Sequence, residues 1–131
     1  NKKFEPCESK KEWVTSDPEI RGRYEADPLC GFVFTVNGYH QMFEGMKELT
    51  KRSNMKKMPK NLPLLFVSGE KDPVGGFGKD VKKVYESYLK AGMKNAEIRL
   101  YENDRHEILN EQDRGVVYEE LYQWMERNLS G

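Results

Sequence analysis

The sequence predicts an α/β domain with a parallel sheet, and three observations predict it. Leu64-Leu65-Phe66-Val67 is an apolar run without alternation, as in a strand buried on both faces of a parallel sheet. A segment of helical period follows from about residue 79 to 91, and then an alternating run over residues 96–101; in that order they make a βαβ unit. A chemistry-bearing residue follows each strand, Asp72 after the first and His106 after the second, at the edge where ligands and catalytic groups of open α/β sheets gather.

Residues 1–16 are polar, with Phe4, Trp13 and Val14 as packing anchors. Asp17-Pro18-Glu19 reads as a helix start: Asp as N-cap, Pro at the first helical position, an acid in the first turn. That helix runs to about Ala26 and stops ahead of Asp27-Pro28, because a residue preceding proline avoids the helical region. Residues 29–34 form a compact apolar turn, too short and too Gly-interrupted for a strand. A longer helix is expected from about Val36 to Arg52, with Tyr39, Met42, Phe43, Met46 and Leu49 on one face. Gly38 and Gly45 weaken it by about 1 kcal/mol each relative to Ala. Residues 53–61 read as a Lys-rich linker, which divides a helical part, residues 1–60, from an α/β part, residues 61–131.

Pro63 precedes the first strand, where a missing N–H costs little, and Gly69 and Pro73 turn the chain out of it. In the next helix Val81, Val84, Tyr85, Tyr88 and Leu89 keep helical spacing, and Gly92 suits its C-terminal cap. A last helix is expected from near Glu111, with Asn110 and Asp113 spaced like a capping box. Its packing stripe is Val117, Leu121, Trp124 and Met125, and it is expected to fray at Leu129-Ser130-Gly131.

Bulk properties narrow the function classes. The 22 basic and 22 acidic residues cancel, so no steering toward nucleic acid follows. Hydrophobic content is 37% and mean hydropathy is −0.88, low for a sheet covered on both faces, which suggests that strands lie outside these residues. The opening Asn1-Lys2-Lys3, without an initiator Met, points the same way, toward a trimmed or cleaved product. Cys7 and Cys30 read as thiols in a reducing, cytoplasmic compartment, with a single disulfide as the minor alternative. No apolar run approaches the ~20 residues of a membrane span, and no signal peptide is visible.

Three patches carry a resemblance to a family. Leu64-Leu65-Phe66-Val67-Ser68-Gly69-Glu70-Lys71-Asp72-Pro73-Val74 resembles the strand and loop that bear the catalytic acid in α/β-hydrolases of the monoacylglycerol lipase and lysophospholipase group, which includes serine aminopeptidase-like members. His106-Glu107-Ile108-Leu109-Asn110-Glu111 resembles the histidine loop of that group and is the more specific match. Asp27-Pro28-Leu29-Cys30-Gly31-Phe32 resembles the cap region of its bacterial members. The resemblance covers nearly the whole chain and is weakest before Trp13. It implies the C-terminal portion of an α/β-hydrolase fold, residues 61–131, preceded by a helical cap, residues 1–60, with the N-terminal strands missing. It also implies that Asp72 is the triad acid and His106 the general base, with no metal or organic cofactor. The sequence departs from the family at one point: no G-x-S-x-G elbow occurs in it. Ser68 lies in the strand that bears the acid and is rejected as the nucleophile, so the nucleophilic serine and the oxyanion donors are expected upstream of Asn1.

The chemistry explains these residue types. A serine hydroxyl attacks an ester only if a base takes its proton, and imidazole titrates near neutral pH. A carboxylate must hold the ring in the right tautomer and stabilise the imidazolium as it forms. Asp72 is therefore expected within about 2.6–3.2 Å of His106 Nδ1. The bland alternatives are a structural loop histidine and an aspartate that merely caps the turn before Pro73. Glu70 is a competing acid, nearer the strand, while Glu107 and Glu111 read as residues that orient the loop or cap the last helix.

His40 and His106 with scattered acids fit no zinc spacing. Gly75-Gly76-Phe77-Gly78 lacks the P-loop ending and the full dinucleotide fingerprint, and reads as a flexible active-site loop. Lys47, Lys51, Arg52, Lys56, Lys57 and Lys60 form a solvated face by default, or one that meets an anionic membrane. Met42, Met46, Met55 and Met58 read as ordinary packing, with an acyl-binding mouth as the alternative.

The expected function is a fragment of a serine hydrolase acting on carboxylic esters, of monoacylglycerol or lysophospholipid type, inactive by itself. The alternatives are a non-catalytic interaction module and a peptidase or small-ester hydrolase. The expected partners are a lipid or small ester substrate and, across the open sheet edge, either the missing N-terminal half or another copy of the chain.

Overall fold

In a computed structural model, which describes residues 2–129, the centre of the molecule is a pair of parallel strands. Strand β1 (Leu64–Gly69) lies beside β2 (Ala96–Tyr101), in register from Leu64 opposite Ala96 to Gly69 opposite Tyr101. The crossover between them is helix α4 (Lys79–Lys90), and α5 (Arg114–Leu129) closes the chain. Ahead of the sheet come α1 (Pro18–Ala26), α2 (Val36–Leu49) and α3 (Arg52–Lys57). The α/β class read from the sequence is the class found. The expected fraying at Leu129-Ser130-Gly131 lies, beyond Leu129, outside the described residues.

Strand alternation sorts the two helices onto opposite faces. On one face Phe66 meets Tyr85 and Tyr88 of α4, with ring centroids 5.9 and 5.2 Å apart, and Tyr85 donates to the Ala96 carbonyl at 3.4 Å. On the other face Leu65 and Val67 share a hollow with Leu121, Trp124 and Met125 of α5. There β2 offers polar side chains, and α5 answers them in kind. Arg99 pairs with Glu120 at 2.9 Å, the Tyr101 hydroxyl donates to Glu120 at 3.0 Å, and Trp124 Nε1 donates to Glu97 at 3.0 Å.

The α1 start matches its sequence signature. Asp17 accepts from the amides of Glu19 and Ile20 at 2.9 and 3.2 Å, and these bonds, that from Ile20 foremost, draw its carboxyl below its ordinary value. The region after α2 differs from expectation. Helix α2 ends at Leu49 rather than near Arg52, and the expected linker contains α3. Two contacts account for α3: Met55 is buried, its sulfur 3.8 Å from the Ser87 hydroxyl of α4, and the Lys60 ammonium donates to the carbonyls of Met55 and Lys56 at the helix end. The apolar stripe of α2 forms, but it is uncovered. Met42, Phe43, Met46 and Leu49 are exposed, and aromatic contacts run along it from Phe34 to Tyr39 to Phe43.

The final helix begins at Arg114, three residues later than expected, after a short 3-10 turn over Ile108–Asn110. No capping box forms at Asn110, because its amide donates to Glu107 at 2.7 Å, and Glu111 turns inward. Cys7 and Cys30 form no disulfide. Among the described residues no helix is long and apolar enough to cross a membrane.

Gly69 ends β1 where the histidine loop crosses it. A Cβ there would lie 2.1 Å from the Asp104 carbonyl oxygen and 2.3 Å from that of Arg105. Both neighbours are backbone, so a side chain cannot swing clear of them. Gly69→Ala is expected to destabilise the protein by about 1–3 kcal/mol or more through overpacking, measured as a lowered urea midpoint at unchanged m-value.

Candidate active site

Asp72 and His106 lie in the loops that leave the adjacent carboxyl ends of β1 and β2. The Asp72 loop is tied back on itself: its amide donates to the Gly69 carbonyl at 3.2 Å, and its own carbonyl accepts from Phe77 N at 2.8 Å. The Asp72 side chain is 8% exposed. Its Oδ1 accepts from Val74 N at 2.8 Å, which leaves Oδ2 directed at His106 Nδ1, 3.1 Å away. The His106 side chain is 38% exposed, so one ring edge is held by a buried carboxylate while the ring stays accessible.

The histidine loop is fastened from a distant part of the chain. His106 N donates to the Trp13 carbonyl at 3.3 Å and Glu107 N to the Val14 carbonyl at 2.8 Å. The Trp13 ring lies against the imidazole, centroids 5.2 Å apart at 45°. The Thr15 hydroxyl donates to the Asn110 carbonyl at 2.8 Å. Val67, His106, Ile108, Leu109 and Leu121 contribute to one open cleft of about 370 Å³, in which an accessible imidazole meets apolar walls.

The other residues singled out from sequence are placed as follows. Ser68 is buried, and its hydroxyl donates to the Gly69 carbonyl at 3.3 Å. Glu70 and His40 are exposed. Glu107 accepts from Asn110 within its own loop. Met55 is buried, whereas Met42 and Met46 are exposed.

Comparison with known proteins adds lineage to this geometry. A family model described as serine aminopeptidase, S33, matches residues 3–113. The chain belongs to this α/β-hydrolase family. A solved structure of a highly thermostable carboxyl esterase from Bacillus coagulans, in complex with glycerol, superposes with a TM-score of 0.84 at 25% identity. The match covers 95% of this chain and 41% of the esterase chain, so the S33-type chain spans well under half of that esterase's length. No curated protein matches it.

Sequence reading missed Asp104, two residues before His106. Its side chain is buried, with Oδ2 lacking a partner, and its carbonyl accepts from Lys71 N at 2.9 Å. Burial first, then the charges of Asp113 and Glu111, push its carboxyl up from 3.8 to about 7. No local signal marked it, since Glu111 and Asp113 stand seven and nine positions away and are brought to it by the fold. Because the folded state binds this proton more tightly than the unfolded chain, its stabilising contribution is fully present below pH 3.8 and lost as pH rises through about 7. Asp104→Asn is expected to remove that loss, so thermal melts from pH 4 to 8 should show the variant less sensitive to rising pH than the parent; equal pH slopes would contradict the assignment.

Proposed function

We propose that this chain is the cap and C-terminal part of a serine hydrolase cleaving carboxylic esters, with the nucleophilic serine outside these 131 residues. The observation that carries the reading is the 3.1 Å contact between buried Asp72 and accessible His106 at the ends of two parallel strands. Family membership and the esterase match support it. None of the six serines stands in a G-x-S-x-G elbow.

In this reading His106 Nδ1–H donates to Asp72, which fixes the tautomer and leaves Nε2 free to act as base. Nε2 takes the serine proton as the hydroxyl attacks the ester carbonyl, and Asp72 stabilises the imidazolium. The proton then passes to the leaving alcohol, and water repeats the sequence to release the acid. Residues 1–60 act as the cap. The edge of β1 away from β2, unpaired among the described residues, receives the next strand of the hydrolase core. Monoacylglycerol or lysophospholipid-type esters suit the exposed apolar face of α2, with Met42 and Met46 at an acyl-binding mouth. A peptide substrate is the second reading, favoured by the aminopeptidase description of the matched family.

Expressed from its whole reading frame, the protein is expected to label stoichiometrically with a fluorophosphonate probe and to hydrolyse short-chain esters. His106→Ala should lower kcat on the order of 10⁴-fold or more. The 131-residue chain by itself should neither label nor turn over. Stoichiometric labelling of a serine within it, lost on His106→Ala, would sink the proposal.

A further inference from the structure

We propose that Glu111 is a positioning residue for His106, holding with one carboxylate both the backbone that carries the imidazole and the segment that walls it. Glu111 is 1% exposed, and three donors converge on its side chain. Oε1 accepts from the amide of Arg105, the residue immediately before His106, at 2.8 Å. Oε2 accepts from the Ser16 amide at 2.9 Å and from the Ser16 hydroxyl. Ser16 ends the segment whose Trp13 carbonyl takes the His106 amide and whose Trp13 ring lies against the imidazole. The carboxylate therefore fixes two walls of the histidine site at once.

The chemistry calls for a carboxylate at this position. Two amides and a hydroxyl supply three donors, and an ionised carboxyl accepts on both oxygens without presenting a hydrogen of its own. Glutamine would turn an NH₂ toward one of these donors and leave a buried amide unsatisfied. The nearby guanidiniums pair with other carboxylates, Arg21 and Arg105 with Glu12 and Arg114 with Asp17, so the Glu111 side chain serves the Arg105 amide and Ser16. Displacements of about 1 Å in a catalytic group can cost on the order of 10²-fold in rate, so a residue that sets this loop sets kcat.

The kinetic part of this inference rests on the reading of His106 as general base; the structural part does not. The test uses the protein expressed from its whole reading frame, with p-nitrophenyl butyrate as probe and the His106 Nδ1–H proton resonance as a reporter of the bond to Asp72. Glu111→Gln is expected to lower kcat about tenfold or more while KM stays within about twofold, and to shift or abolish the Nδ1–H resonance in folded protein. Ser16→Ala, which removes one donor, should move both readouts less and in the same direction. An unmoved resonance in folded Glu111→Gln overturns the proposal, as does an unchanged kcat, or a fall that only tracks the fraction folded. Should Glu111→Gln fail to fold, Ser16→Ala decides: a moved resonance with lowered kcat supports the proposal, and either readout unchanged overturns it. If the parent protein shows no esterase activity, the proposed function fails, and the resonance alone still decides whether Glu111 positions His106.

Discussion

The ordering of the histidine loop depends on one buried carboxylate held between two guanidiniums. Glu12 faces Arg21 at 3.3 Å and Arg105 at 2.7 Å, all three largely out of solvent. Removing one member of such a buried set typically costs about 3–5 kcal/mol, because the remaining charge stays behind without compensation. The arginines do more than balance charge. Arg21 donates to the carbonyls of Thr15 and Ser16 at 3.0 Å, and Arg105 donates to those of Glu12 and Thr15. These carbonyls belong to an irregular segment with no sheet or helix partner for its backbone. Charge-assisted bonds supply what secondary structure would otherwise supply. The segment can therefore run beside the histidine loop and lend it the carbonyls of Trp13 and Val14.

A second constraint brings the acid to the histidine. Parallel pairing places the carboxyl ends of β1 and β2 side by side, so the loops leaving them begin as neighbours. The absence of a side chain at Gly69 lets the second loop cross directly over the end of the first strand. Asp72 is then buried, with one oxygen spent on Val74 N and the other on His106. The carboxylate is thereby fixed in the interior while the imidazole it orients stays accessible.

The two faces of the sheet solve the same burial problem differently. Toward α4 the contacts are aromatic; toward α5 much of the cover over β2 is a lattice of Arg99, Tyr101, Glu120, Glu97 and Trp124. The mixed pattern Ala96-Glu97-Ile98-Arg99-Leu100-Tyr101 thus describes a half-buried strand with one apolar face and one polar face whose side chains bond to α5. The exposed stripe of α2 has the reverse character, an amphipathic pattern whose apolar side stays largely open, with Met42, Phe43 and Met46 exposed and Leu49 at its end sharing a hollow with Met55 of α3 and Val84 and Tyr88 of α4.

Local chemistry was enough to read the elements. The unbroken apolar run marked β1, the capping residues Asp17 and Pro18 marked α1, and the spacing of Val81, Tyr85 and Tyr88 marked α4. The order of strand, acid, helix, strand and histidine by itself put Asp72 and His106 at one edge of the sheet. Elsewhere the simplest signal misled, because other partners, some local and some tertiary, took the same groups. Asn110 and Asp113 had capping spacing, yet Asn110 bonds to Glu107 and Glu111 is drawn inward, so α5 starts late. The basic stretch after α2 lacked a helical stripe, yet one buried methionine and one lysine at the carbonyl end suffice for α3. Least legible was the joining of residues 12–17 to the loop around His106, some ninety positions away. A sequence displays which residues carry charge and which faces are apolar, since both are properties of near neighbours. Which carboxylate meets which guanidinium across such a separation is decided by burial, which leaves each buried charge stable only where the fold brings it a partner.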